Sequence, residues 1–277
     1  MKKIIISVLS ILTILSFVAC SSNNATNTAN ADAGSLQVVQ VAASPVPHAE
    51  ILTAAIPLMK EKGYDLQVVE FTDYVQPNKV VDNGEMDANY FQHQPYLDSF
   101  NEEQGTHVVA VGEVHYEPFG LYKGTKTNLD DIAEGDKIAV PNDTTNEARA
   151  LLLLQAAGII KLKADAGLTA TKLDIEENPK NVDIVELESA QIPRSLQSVA
   201  YACMNANYVL EAGLKISDAL YIEDKNSLAA KTYANIVCVA ESNKDAQFAK
   251  DLVACLQSNE IKDFINNKYE KSVIPIG

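Results

Sequence analysis

The side chains in this sequence that could do chemistry are of types suited to recognition. Residues 71–97, FTDYVQPNKVVDNGEMDANYFQHQPYL, set Tyr74, Tyr90, Phe91 and Tyr96 beside His93, Asn78 and Asn89. Rings with polar tips at the carboxyl ends of neighbouring strands are what a ligand crevice in an open α/β sheet is made of. The plainer reading is ordinary core, where most aromatics go. Arg149 falls near the second turn of a predicted helix that opens at a strand's carboxyl end. A guanidinium there, joined by backbone amides and the helix dipole, suits a carboxylate; the plainer reading is an ion pair with Glu147, Glu186 or Glu188. Asn205 and Asn207 offer acceptor oxygens for an ammonium and donors for a carboxylate, or only local turn chemistry. An aromatic cluster, one Arg and a pair of Asn together suit a zwitterion with an apolar side chain.

Two other chemistries are open to residues of this chain. Three of His48, His93, His107 and His115, with Glu117, could hold zinc or manganese through imidazole and carboxylate; against this, His93 sits in an aromatic run and His107 in a polar turn. Catalysis has no comparable support. The chain carries no GxSxG, GxGxxG, Walker loop, HExxH or CxxC, and so no placed nucleophile, cofactor cradle or metalloprotease pair. No cofactor is called for.

The elements that must position these residues read as alternating strands and helices. Residues 36–42, 65–71, 86–91 and 108–114 are strands, and 48–62 and 95–104 are helices. The first helix carries a stripe of Ile51, Leu52, Ala55, Leu58 and Met59, ends at Gly63, and should kink at Pro57. A second series follows 116–120: a strand at 137–140, then TTNEARALLLLQAAG as a helix with Thr144 and Glu147 in capping-box spacing. Strands at 182–187, 199–204 and 235–240 and two closing helices complete it. The alternation predicts parallel pairing with crossover helices. The architecture is α/β, two lobes with the second series inserted into the first, and crossings near 116–121 and 224–233.

The N-terminus lies outside that fold. Lys2 and Lys3, the apolar run 4–18 and Ala19-Cys20 form an export signal, too short for a stable membrane span. It is similar to a bacterial lipobox, with Phe17 where Leu is usual and Cys20 as the lipidated residue. Residues 21–35 are Ser, Asn, Thr and Ala with almost no large apolar side chain, a flexible tether. The net charge is −15. Without Lys2 and Lys3, 20 of the 22 Lys and Arg remain against 37 Asp and Glu, a balance of −17, which excludes a nucleic-acid partner. After Cys20, Cys203, Cys238 and Cys255 remain, an odd number that leaves a thiol unpaired; their apolar neighbours read as core, with a Cys203–Cys238 bridge left open.

Beyond these readings, the runs PHAEIL, KGYDLQVVEFTDYVQPN, DANYFQHQPYL, AVPNDTTNEARALLLLQAAGIIKLK, DIEENPKN, ELESAQIPRSL and NANYVLEAGL resemble the NlpA-type methionine-binding lipoproteins, the substrate-binding components of methionine ABC importers. The resemblance runs in matching order from about Val38 to the C-terminus. It implies a periplasmic-binding-protein fold: two α/β lobes joined by crossing strands, with a ligand cleft between them. It implies domains of 1–19 (signal peptide), 20–35 (lipidated cysteine and tether), 36–117 with 230–277 (lobe one) and 118–229 (lobe two). By motif, Tyr74, Phe91, His93 and Tyr96 line a methionine side-chain pocket. Arg149 holds the carboxylate, and Asn205 binds the amino-acid backbone with Asn146 and Asn207 as companions. His115 and Glu117 lie near a crossing and shape the cleft. The runs ASPVPHAE and NDTTNEAR depart from many relatives in their loop residues. The implied partners are L-methionine or a close analogue, ABC permease and ATPase subunits, and the membrane through a lipid anchor on its extracytoplasmic face. D-methionine or a methionine dipeptide stay open as ligands. The alternatives are a metal-ion receptor of an importer and a surface adhesin that keeps the fold.

Overall fold

A computed structural model describes residues 35–224 and 232–276. The export signal, Cys20 and all but the last residue of the tether lie outside the described residues, as does the middle of the expected second crossing. The compact unit is Leu36–Gly277. Among the described residues no helix is long and apolar enough to cross a membrane.

Strand β1 (Gln37–Ala43) buries Val39, Val41, Ala42 and Ala43, as a strand covered on both faces must. A turn at Pro45–Ala49 leads into helix α1 (Glu50–Glu61), whose stripe of Ile51, Leu52, Ala55 and Met59 faces the core while Pro57 lies on the exposed face. The helix runs on through Pro57. Gly63 ends it at φ +92°, a left-handed backbone that glycine adopts without strain. Then come β2 (Tyr64–Glu70), α2 (Gln76–Asp82), β3 (Ala88–His93), α3 (Gln94–Gln104) and β4 (Val108–Tyr116). Strands β2 and β3 pair with β1 in parallel, the crossover geometry that helices α1 and α2 provide.

The chain leaves this sheet after Tyr116. A second sheet is built from β5 (Gly120–Lys123), β6 (Lys137–Pro141), β9 (Asp183–Leu187), β10 (Tyr201–Met204) and β11 (Ala219–Ile222), with a small hairpin of β7 (Lys161–Leu162) and β8 (Ile175–Glu177) beside it. Helices α4 (Thr144–Ala156), α5 (Ile192–Ser195) and α6 (Ala206–Glu211) belong to this part. The chain then returns: β12 (Ala234–Ala240) enters the first sheet between β3 and β4, antiparallel to both, and helices α7 (Gln247–Leu256) and α8 (Asn259–Tyr269) and the short β13 (Ile274–Pro275) follow. The final orders are β13-β4-β12-β3-β1-β2 and β11-β5-β10-β6-β9. The all-parallel expectation is therefore corrected. A strand returning from a distant lobe is not bound by the crossover rule that makes consecutive βαβ strands parallel, and it closes the sheet in the opposite direction. Strands β5 and β11, antiparallel neighbours, went unread because each is only four residues long.

Each sheet has its own core. In the first, α1, α7 and α8 cover Val39, Val41, Val237 and Val239; in the second, Leu151 and Leu154 of α4 cover Ile138 and Val140. Cys203, Cys238 and Cys255 are free and buried, two of them on strands of different sheets, so no Cys203–Cys238 bridge exists. At Gly124 a Cβ would come within 2.3 Å of the Val199 carbonyl oxygen and 2.9 Å of those of Leu196 and Ala200. Backbone cannot yield as a side-chain tip does, so Gly124→Ala is expected to cost about 1–3 kcal/mol, as overpacking does. A thermal melt unchanged within a degree would contradict that close approach.

Candidate ligand-binding site

The site forms where β3, the β4–β5 crossing, the start of α4 and the start of α6 meet. Strand β3 is buried along its whole length. Opposite β12 its register passes from Tyr90 to Gln92, with Phe91 left out as a bulge leaves a residue out. Gln92 thus joins Asn89, donating to its Oδ1 at 3.0 Å, and Asn78 completes a buried amide cluster through bonds of 2.6–2.9 Å. Asn78 and Asn89 are structural partners of each other and line no part of the cavity. Tyr90 points into the first core. Phe91, Tyr96 and Tyr74 instead form a wall of rings with centroids 5.8–6.1 Å apart.

His93 caps α3, its Nδ1 accepting from the Tyr96 amide at 3.2 Å. The ring proton therefore sits on Nε2 and donates to Asn146 Oδ1 at 3.2 Å, across to the second lobe. Asn146 Oδ1 also accepts from Asn205 Nδ2 at 2.8 Å, and its own Nδ2 donates to Asp143 Oδ1 at 2.8 Å. Asp143, not Thr144, is the N-cap of α4, accepting from the Asn146 amide at 3.0 Å. Glu147 is drawn away to the Lys172 amide at 3.0 Å, so the capping box read in the sequence does not form. Tyr74 donates to Asn207 Oδ1 at 2.6 Å. Two cleft-lining polar atoms have no hydrogen-bond partner among the described residues: Asn205 Oδ1 and Asn207 Nδ2. One accepts and the other donates. Left unpaired, each costs on the order of 1–3 kcal/mol.

Arg149 is buried, 4% exposed. Its Nε and Nη2 donate to Glu223 at 3.1 and 2.5 Å, and Nη2 also reaches the Glu117 carbonyl at 3.0 Å. The guanidinium lies over the rings of Tyr233 at 4.2 Å and Phe119 at 5.1 Å. None of the ion-pair partners weighed from the sequence is the real one; Glu223 comes from beyond β11, seventy-four positions away in the chain. Burial would lower the Arg149 pKa, but the Glu223 carboxylate outweighs it and the group is held firmly cationic.

All eight side chains named for the ligand, Tyr74, Phe91, His93, Tyr96, Asn146, Arg149, Asn205 and Asn207, line one cavity. Gln92, Glu117, Ala206 and Asn235 line it too. The resemblance gives Glu117 only a shaping role at the cleft. Asn235 carried no signal, being one polar residue at the start of an apolar strand. The lobes are drawn together over the cavity by Tyr208 donating to the Thr72 carbonyl at 3.3 Å and Thr144 to Glu103 at 2.8 Å. The space left inside is about 20 Å³, enough for a water.

Behind Glu117 lie the histidines. His115 Nε2 is 2.7 Å and His48 Nε2 3.5 Å from Glu117 Oε1, His48 Nε2 is 2.9 Å from Asn235 Oδ1, and Tyr90 hydrogen-bonds His115 Nδ1. His48, His115 and Glu117 are thus the residues among the histidine candidates that converge, their ligand atoms within 4.8 Å of one another; His93 stands apart against Asn146, and His107 is exposed.

Burial holds His48 at a pKa of about 4, and His93 and His115 at about 3, with the Arg149 charge adding to the effect at His93. All three are neutral in the fold, whereas the unfolded chain takes up these protons near 6.5. The folded state binds fewer protons, so their contribution is complete above about pH 6.5 and is lost as pH falls toward 4 and 3. Glu117, Asp143, Glu147 and Glu211, raised by burial, act the other way, while Asp136, Asp174 and Asp251 are lowered and act with the histidines. The melting temperature is expected to be roughly 5–10 °C lower at pH 5 than at pH 7.5. Identical melts at the two values would contradict the neutral assignment.

Two α/β lobes around a cleft of convergent polar groups and an aromatic wall define a periplasmic-type substrate-binding protein. The chain belongs to the NlpA lipoprotein family, which matches residues 39–277. It is 42% identical over 229 residues to the D-methionine-binding lipoprotein MetQ of Salmonella typhimurium, covering 81% of this chain and 83% of that one. It is 38% identical to the methionine-binding lipoprotein MetQ of Bacillus subtilis over 100% of this chain and 99% of the relative. Among solved structures, a lipoprotein from Ruminococcus gnavus is 60% identical with a TM-score of 0.86, covering 87% of this chain and all of that one. A nutrient binding protein from Burkholderia cenocepacia bound to methionine is 43% identical with a TM-score of 0.82, covering 86% and 100%.

Proposed function

We propose that this chain captures methionine outside the cytoplasm and delivers it to the permease and ATPase subunits of an ABC importer, catalysing nothing itself. The observation that carries the reading is the pairing of opposite unmet needs in one cavity. Asn205 Oδ1 lacks a donor and Asn207 Nδ2 lacks an acceptor, beside a buried guanidinium and a wall of three rings. An α-amino acid with an apolar side chain meets each need: its ammonium at Asn205, its carboxylate at Asn207 and the Arg149 guanidinium, and its thioether among Tyr74, Phe91 and Tyr96. His93 and Asn146 hold the polar side of the cleft in register. Lobe one comprises 36–117 and 230–277, and lobe two 118–229. Because the cavity holds only about 20 Å³, the ligand enters a parted form, and the lobes close on it by hinge motion. The relatives named for methionine, and the methionine-bound solved structure, support this choice of ligand. Mass spectrometry of the small molecules released on denaturing the purified protein tests it: methionine is the expected species, and a different amino acid would replace the ligand while leaving the receptor role.

The protein is held on the extracytoplasmic face of the cell membrane by a lipid on Cys20. Cys20→Ser is expected to move the chain from the membrane fraction to the soluble one. An unchanged membrane fraction would mean that something other than this cysteine holds it.

A further inference from the structure

Glu117 poses a problem that the methionine reading alone leaves open: a carboxylate in the protein interior, 6% exposed, with no cation against it. Its hydrogen-bond donors are neutral. Tyr90, whose phenol burial keeps protonated, gives its proton to His115 Nδ1, so His115 carries its own on Nε2 and donates it to Glu117 Oε1 at 2.7 Å. His48 spends its Nε2 proton on Asn235 Oδ1 at 2.9 Å. Arg149, the nearest permanent cation in this cavity, is already engaged by Glu223 and gives Glu117 only a bond to its carbonyl. Among the described residues no Lys or Arg forms an ion pair with Glu117. A buried carboxylate served only by neutral donors is costly unless a cation arrives.

The cavity shows from which side it arrives. Glu117 lines it, as does the unpartnered acceptor Asn205 Oδ1, whereas His48 and His115 do not. An anionic acceptor and an unpaired neutral one face one small space that also holds the donors Arg149 and Asn207 Nδ2. We infer that Glu117 is the counter-ion of the ligand's α-ammonium group and so the residue that makes this receptor specific for a free amino acid. The inference rests on the methionine reading. Ligands with the same side chain and carboxylate but no ammonium, or with the nitrogen acylated, leave Glu117 unmatched and are refused. His115, oriented by Tyr90, is a positioning residue that aims the carboxylate. A divalent metal held by His48, His115 and Glu117 is the competing occupant. It would take the proton that His115 shares with Glu117 and set a double positive charge where the ammonium should lie.

Calorimetry on the parent and on Glu117→Gln separates these cases, using L-methionine and its hydroxy analogue, in which OH replaces the ammonium. The amide oxygen of Gln can still accept from His115, so the fold is retained, with a thermal melt as the control. The parent is expected to prefer methionine by about a hundredfold or more, and Glu117→Gln to lose roughly 30- to a thousandfold toward methionine. Its affinity for the hydroxy analogue should shift by less than about threefold, since no charge is at stake there. Equal losses for both ligands, or none for methionine, overturn the inference and leave the methionine reading standing. Two tests on the parent do not depend on the variant. N-acetylmethionine binding as tightly as methionine overturns the inference. Stoichiometric zinc uptake that abolishes methionine binding does so too, in favour of a metal site. A parent that binds no methionine overturns the methionine reading itself.

Discussion

Arg149→Ala is expected to weaken methionine binding by roughly 30-fold to several thousandfold, because removing one partner of a desolvated charge pair costs about 2–5 kcal/mol. The structure adds a second consequence. Arg149 is also the bidentate partner of Glu223, so the alanine variant leaves that carboxylate beside the rings of Tyr116 and Tyr233 without its cation. Part of the loss should therefore appear as a lower melting temperature even without ligand. The double variant Arg149→Ala, Glu223→Gln should recover the melt while binding stays lost, which separates recognition from scaffolding. If Arg149→Ala is folded and binds methionine like the parent, the guanidinium serves only the ion pair, and the carboxylate must be held elsewhere.

The next largest effect is selectivity for the ligand's side chain. Moving a thioether chain from water into the space bounded by Tyr74, Phe91 and Tyr96 is worth roughly 2–3 kcal/mol, with about 0.3–1.5 more for each sulfur–aromatic contact. Methionine should therefore bind on the order of a hundredfold more tightly than alanine. Glutamate should be refused outright, since its second carboxylate would be buried among rings with no cation to meet it. Phe91→Ala removes the buried ring at the bulge of β3 and should bring methionine down toward alanine, besides costing about 3–5 kcal/mol of stability. Calorimetry with the three amino acids on parent and variant measures both. Glutamate binding as tightly as methionine would sink the assignment of this wall to the side-chain pocket.

Much of the scaffold was legible because its cause is local. The stripe on α1, its stop at Gly63, the strand before Pro45 and the helix after Asp143 follow from periods of 3.6 and 2 and from the conformational habits of Gly and Pro. The resemblance carried by the motifs around Tyr74, Phe91, Arg149 and Asn205 points to eight of the twelve residues that line the cavity. The cap of α4 was misread by one position, since Asp143 and Thr144 are both good capping residues and Glu147 fits a capping box on paper. Only the pull of the Lys172 amide, from a loop 25 positions on, decides between them.

What tertiary structure alone decided are the pairings across the chain. The run 86–93 does not say that Phe91 is bulged, and that bulge determines which face Gln92 shares. Nothing near Arg149 points to Glu223, because distance along the chain carries no information about which loop will fold back. His48, His115, Glu117 and Asn235 meet only because β12 returns from the second lobe, enters between β3 and β4, and sets Asn235 opposite both His93 and His115. Local sequence determines which face of a strand or helix is apolar, since that depends on a residue and its near neighbours. Sheet order and the direction of a returning strand determine which buried charges meet, and those depend on how two lobes are threaded together.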